Sequence, residues 1–188
     1  MNINNNTTDE EIVELTRKND KELFAHLIDR YEAKLAAYIK RLAANSPEAE
    51  DLVQQAFINA FVNLNNFDTD QKFSSWIYRI AHNLAVNWLK KKKANISLDD
   101  DDEAMRLRLK DKVDLEDDLM AKEAGTLLID AINRLPEKFK EPFMLKYLED
   151  KSYEEISFIL RLPKNTVGTF IGRAKKLLKA DLEKNYVR

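Results

Sequence analysis

Three glycines in 188 residues, at positions 125, 168 and 172, leave this chain little material for tight hairpin turns. Strands that reverse in two residues need positive backbone angles, which glycine supplies most readily. Scarcity of glycine therefore argues for helices joined by short connections. Apolar spacing agrees with that at both ends of the chain. Leu23, Phe24, Leu27, Ile28, Tyr31, Leu35, Tyr38, Ile39 and Leu42 recur at three- and four-residue steps, the period of one buried helical face.

Local chemistry marks where helices begin. Thr8-Asp9-Glu10-Glu11 has the spacing of a capping box, opening a short helix through Ile12, Val13 and Leu15. Asp20 is placed to cap the long helix that follows. Ser46-Pro47 reads as a cap with proline at the first helical position, ahead of Leu52, Val53, Ala56, Phe57, Ala60, Phe61 and Leu64. A polar loop around a single ring, Phe67, separates this helix from a fourth. That helix is expected to bury Phe73, Trp76, Ile77, Ile80, Ala81, Leu84, Ala85, Trp88 and Leu89.

Charge is segregated along the chain. Residues 1–98 hold 13 basic and 13 acidic side chains; residues 99–120 hold 4 and 10, a net of -6; residues 121–188 hold 14 and 10, a net of +4. The acidic block has few aromatics and cannot bury much surface, so it reads as a linker. The expected fold is all-α: two small helical domains, 1–98 and 121–188, joined by the acidic linker 99–120, the second domain containing a helix-turn-helix.

One segment departs from the slightly acidic whole. KFSSWIYRIAHNLAVNWLKKKK, residues 72–93, carries six Lys or Arg, no carboxylate and four aromatic rings. Cations neutralise phosphates, and rings stack on bases that have left the duplex. Tyr78, Arg79, His82, Asn83, Asn87 and Lys90 are expected on its outer face, where amide and guanidinium groups suit base edges or backbone. Trp76, near the edge of the apolar stripe, is open to both roles; Trp88 reads as core.

In the last third, Leu127, Leu128, Ala131, Ile132 and Leu135 begin a new apolar pattern. Phe139, Phe143, Leu145, Tyr147 and Leu148 continue it, with Pro142 tolerable only near a first turn. Ser152-Tyr153-Glu154-Glu155 is a second capping box. After Arg161-Leu162-Pro163-Lys164, Asn165 or Thr166 is expected to cap a basic helix through Val167, Phe170, Ile171, Ala174, Leu177 and Leu178. Two helices joined by about four residues, the second basic, have the form of a helix-turn-helix.

AEDLVQQAFINAFVNL, KFSSWIYRIAHNLAVNWLKKKK and LPEKFKEPFMLKYLEDKSYEEISFILRLPKNTVGTFIGRAKKLL occur in the order seen in bacterial RNA polymerase sigma factors. Length and the lack of extra domains resemble the extracytoplasmic-function subfamily. The likeness covers about residues 23–98 and 127–182. It implies a factor that binds core RNA polymerase, directs it to promoters and promotes melting, with an anti-sigma protein as a possible further partner. It implies single-stranded -10 DNA at the loop and helix of the first domain, through Phe67, Gln71 and Lys72 beside Trp76, Tyr78, Arg79, His82, Asn83, Asn87 and Lys90. Phe67 is equally open to folding back into the core, while Asp68 and Asp70 offer acceptors to an exocyclic amine. It implies double-stranded -35 DNA at Lys164, Asn165, Thr166, Thr169, Arg173 and Lys176. Core polymerase would meet Asp51, Gln54, Gln55, Ile58 and Asn59.

Two departures stand out. Relatives usually carry basic or hydroxyl side chains where Gly168 and Gly172 stand, four apart on one helical face. Either the bare face admits the DNA backbone, or -35 recognition is weak. The acidic block is a flexible spacer, a mimic of nucleic acid within polymerase, or a repellent of DNA in the free factor.

Cysteine is absent, which excludes thiol chemistry and disulfides. His26 and His82 lie in different helices; His26, beside an apolar stripe, reads as structural, and no Cys/His cluster suggests a metal. Neither catalysis nor a cofactor is expected. No apolar run approaches the roughly 18 residues of a membrane span, and MNINNNTTDEE is unlike a secretory signal, so a cytoplasmic location is expected. Two rivals remain at this level: a dimeric helix-turn-helix regulator, and a sigma-like decoy that binds polymerase but no promoter.

Overall fold

The computed structural model describes residues 3, 6–18, 20–43, 46–96 and 127–186, and every regular element among them is helical. The chain divides into two compact units, Met1–Leu109 and Lys110–Arg188. That division falls inside 99–120, but the expected linker and the roles considered for its acidic block lie outside the described residues.

The first unit contains α1 (Asp9–Lys18), α2 (Phe24–Leu42), α3 (Ala49–Val62) and α4 (Phe73–Ile96). The Thr8 capping box forms as its spacing demands: the Glu11 amide donates to Thr8 Oγ1 at 3.2 Å, and the Thr8 amide to Glu11 Oε2 at 2.8 Å. Asp20 accepts from the Glu22 amide at 2.9 Å, capping a 3-10 turn, Lys21–Leu23, that runs into α2. Packing of α4 against both α2 and α3 encloses Leu35, Tyr38, Ile39, Ala56, Phe73, Ile77, Ala81 and Ala85, none more than 1% exposed. Each large side chain so enclosed contributes roughly 1.5–3 kcal/mol.

Three expectations about α2 and α3 fail. The α-helix after Ser46-Pro47 begins at Ala49, because the Ser46 hydroxyl donates to the Glu48 carboxylate and the intervening residues form a turn. His26 is exposed on α2 and takes no part in the core. Phe61 is 37% exposed, with an edge-to-face contact to Phe24 at 5.1 Å between centroids.

The second unit contains a helix over 127–133, here α5, then α6 (Glu137–Tyr147), α7 (Tyr153–Leu160) and α8 (Lys164–Tyr186). Ala131, Ile132, Leu135, Phe139, Phe143, Met144, Ala174 and Leu178 form one cluster. Pro142 sits deeper in α6 than the first turn, so the Lys138 carbonyl has no helical donor; burial of the ring against the core offsets that loss. Leu128, Tyr147, Leu148 and Leu177 were expected inside, yet all are exposed by 38–45%. Their apolar spacing extends beyond the arc that the neighbouring helices cover.

Candidate nucleic-acid interface

Between α3 and α4 the chain makes a 3-10 turn, Leu64–Asn66, and then an exposed polar loop. Phe67 is buried, 4% exposed, so it offers no face to a base; the core alternative holds. Its ring packs against Phe73 at 5.8 Å and Trp76 at 4.9 Å between centroids. Trp76 is half-buried and leans on both rings, with one side left at the surface. Asp68 Oδ1 accepts from the Asp70 amide at 3.0 Å, and the Asp68 carbonyl from the Gln71 amide at 3.0 Å. That turn leaves Asp70, Gln71 and Lys72 exposed at the entry to α4.

Both ends of this loop are tied to α1. At one end the Arg17 guanidinium donates from Nε to the Leu64 carbonyl at 3.0 Å, and from Nη2 to the Phe67 carbonyl. At the other, Glu10 Oε1 accepts from the Phe73 amide at 2.7 Å. Sequence reading assigned neither residue a role, and contacts across 47 to 63 residues of chain leave no local pattern to detect.

Along α4 the expected outer face separates into two groups. Tyr78 is 1% exposed and packs on Tyr38, 5.3 Å between centroids. His82 is 8% exposed, with Nδ1 3.0 Å from the Tyr38 hydroxyl. Burial pushes the imidazole down to about 4, so it is neutral near pH 7. Neither residue can touch DNA from there. Both were placed outside because a single buried stripe was assumed, whereas α2 and α3 enclose α4 over a wider arc. The remaining residues agree with one another. Lys72, Trp76, Arg79, Asn83, Asn87 and Lys90 fall within about 80° of the helix circumference at roughly 100° per residue. Lys72, Asn87 and Lys90 are exposed, and the other three are half-buried. Trp88 is half-buried rather than core, with Lys92 Nζ 4.4 Å from the ring centroid.

On α3, Asp51, Gln54 and Gln55 are exposed and Asn59 is half-buried, accepting from Gln55 Nε2 at 2.9 Å. Ile58 is 55% exposed and is not a lone surface residue. Val62, one turn on, is 72% exposed, and Phe61 adjoins it. An apolar centre with an amide rim is the composition of a protein-binding face. Val62 falls outside both the expected buried stripe and the expected polymerase face, and its exposure at 72% follows from neighbours the sequence does not show.

In the second unit the Ser152 box forms, with the Glu155 amide donating to Ser152 Oγ at 3.2 Å and the Ser152 amide to Glu155 Oε2 at 2.8 Å. α7 ends on Arg161 in the left-handed region, φ 54°, and Ser157 Oγ donates to the Leu162 carbonyl at 2.5 Å. α8 starts at Lys164, before the expected Asn165 or Thr166 cap. The Pro163 carbonyl accepts from the Thr166 and Val167 amides at 2.9 and 3.1 Å. Asn165, Thr169, Arg173 and Lys176 are exposed and Thr166 is half-buried. Lys164 pairs with Glu154 of α7, and Thr169 Oγ1 donates to the Asn165 carbonyl at 2.9 Å. The two glycines prove unlike. A Cβ on Gly168 would meet the Tyr153 ring at 3.5 Å, whereas one on Gly172 would meet nothing within 4 Å.

Sigma-70 region 2 matches residues 27–95, and Sigma-70, region 4 matches residues 126–178. The ECF RNA polymerase sigma factor SigW of Bacillus subtilis (strain 168) is 36% identical over 176 residues, covering 90% of this chain and 94% of that relative. The ECF RNA polymerase sigma-E factor of Escherichia coli (strain K12) is 34% identical over 177 residues, covering 91% and 92%. In fold the chain is similar to the sigma factor RpoE, solved with the anti-sigma factor NepR from Bartonella quintana. The TM-score is 0.72 at 20% identity, covering 86% of this chain and 98% of that one.

Proposed function

Because the chain belongs to the extracytoplasmic-function sigma factors of bacterial RNA polymerase, which bind core enzyme, direct it to promoters and promote melting, we propose how its residues divide that work. The Lys72, Trp76, Arg79, Asn83, Asn87 and Lys90 stripe holds the -10 strand once it separates. Trp76 provides a stacking face backed by Phe67 and Phe73, and the cations meet phosphates on either side of it. Asp70 and Gln71 supply an acceptor and an amide to a base turned out of the stack. Asn165, Thr169, Arg173 and Lys176 enter the -35 major groove from α8. Asp51, Gln54, Gln55 and Ile58, extended by Phe61 and Val62, form the face for core polymerase.

The observation that carries this reading is the alignment of one ring, two amides and three cations on a single arc of α4, directly beside the aromatic-walled loop. Melting follows from binding energy: the stripe gains contacts only with unstacked bases, so it favours the open duplex over the closed one. No catalytic step of the factor's own is required. Free factor carries a net charge of only -2, so polymerase supplies most of the hold on DNA. Such a factor acts in the cytoplasm, where polymerase and promoter meet. An anti-sigma regulator would reach the same exposed Ile58, Phe61 and Val62 in competition with polymerase. No described helix is long and apolar enough to cross a membrane.

Run-off transcription with purified core polymerase on candidate promoters tests the reading. Transcripts are expected only with factor present, and charge reversal at Arg79 is expected to reduce them at least tenfold. Full activity in that variant would refute the stripe's role.

A further inference from the structure

The geometry points to α1 as the element that sets the shape of the base-capturing loop, with Glu10 and Arg17 as positioning residues. This rests on the proposed role of that loop and names what holds it. The region 2 match begins at residue 27, so α1 lies outside it.

Helix α4 has no acidic residue in its own first turn. Its amides from Phe73 onward are the orphan donors of a helix N-terminus, at the positive end of the helix dipole. Lys72 occupies the capping position, since its carbonyl accepts from the Ser75 and Trp76 amides at 3.1 and 3.2 Å, and a lysine side chain cannot accept. The missing acceptor comes from 63 residues away: Glu10 Oε1 takes the Phe73 amide at 2.7 Å. Seven residues along α1, two turns on and on the same face, Arg17 holds the carbonyls of Leu64 and Phe67. One rigid helix thereby grips the exit of the 3-10 turn and the start of α4, and so fixes the separation between the two ends of the loop.

α1 is itself held in place. Ile12 and Val13 are fully buried. Asp9 accepts from Arg30 Nη1 at 2.6 Å and from the Tyr31 hydroxyl. With its ends fixed, the exposed Asp70, Gln71 and Lys72 keep a constant distance from Trp76, which is the preorganisation a pocket for one base requires.

The test uses holoenzyme and a fluorescent single-stranded -10 oligonucleotide, intact or with an abasic site at each position in turn. In wild type one abasic position should weaken binding about tenfold. Glu10→Ala and Arg17→Ala should each weaken the intact oligonucleotide by about as much, and the same abasic site should then cost no more than about twofold, because lesion and substitution remove the same interaction. Affinity for core polymerase and for a -35 duplex should be unchanged. Glu10→Gln, which keeps an acceptor oxygen, should bind like wild type. If both alanine variants retain the full abasic penalty, or lose core binding in parallel, the positioning role is overturned while base capture stands. If no abasic site affects wild type, the loop captures no base, and both ideas are overturned.

Discussion

The two helices proposed to meet DNA are nearly equal in length, α4 with 24 residues and α8 with 23, yet they present their side chains in opposite ways. On α4, Trp76, Arg79 and Asn83 are half-buried, and the Trp76 ring is braced by Phe67 and Phe73. On α8, Asn165, Thr169, Arg173 and Lys176 stand in water, beside a glycine whose surroundings are open. A braced ring has little freedom to lose when a base stacks on it. An exposed arginine must be ordered at contact, at about 0.5–1.5 kcal/mol per side chain. The first surface suits bases that appear only after strand separation and need an immediate partner. The second suits a duplex whose groove is already formed and can arrange the side chains that enter it.

The largest effect that separates the two units is their response to pH. His82 is neutral when folded, and an unfolded histidine protonates near 6.5, so its contribution is complete above that value and lost as pH falls toward about 4. The loss is on the order of 3 kcal/mol. Glu141 of α6 behaves inversely. Burial, then the charge of Glu137, pushes it up to about 7, with Lys140 opposing. Its folded state therefore holds a proton that the unfolded chain releases near 4.5, and the second unit loses stability as pH rises from there toward 7. Trp76 and Trp88 are the only tryptophans and both lie in the first unit, so their fluorescence follows that unit alone. Melting by fluorescence and by circular dichroism should rank the units differently at pH 5 and pH 7.5. A single ranking at both values breaks the contrast.

Next in size is Trp76→Ala, expected to reduce open-complex formation by about 30-fold, or roughly 2 kcal/mol. Permanganate reactivity of -10 thymines reads this. Trp76→Phe should recover most of the loss, and the effect should change little with salt. Arg173→Ala should cost about tenfold in -35 duplex binding and reduce the salt slope by about one. Equal salt dependence in the two variants would remove the distinction between braced and solvated surfaces. Smallest is Gly172→Ala, expected to stabilise α8 by about 1 kcal/mol, since the added methyl meets nothing. Weaker -35 binding in that variant would favour close approach of the DNA backbone to the bare face.

Features that depend on adjacent residues were legible in the sequence. Thr8 and Ser152 each carry both halves of a capping box within four residues, and both boxes form. Features that depend on what lies across the core were not. Tyr78 and His82 carry hydrogen-bonding groups like the stripe proposed to hold DNA, and the enclosure of α4 from two sides places them within. Ser46 was misjudged because Glu48, two residues on, takes its hydroxyl. Asn165 and Thr166 were misjudged because the Pro163 carbonyl already serves the Thr166 and Val167 amides. Phe61, Tyr147, Leu148 and Leu177 have apolar spacing but are only partly covered by their neighbours. Glu10 and Arg17 were invisible, as their partners lie in another helix and a distant turn.

The bond between Tyr38 and His82 crosses the seam between α2 and α4 within an otherwise oily wall. Interdigitated apolar contacts tolerate small shifts, whereas a directional bond is satisfied in one axial register only. If α4 holds the separated strand as proposed, a load on it reaches α2 through this bond. A substitution that keeps the volume of His82 but not its polarity should leave α4 seated and yet unkeyed.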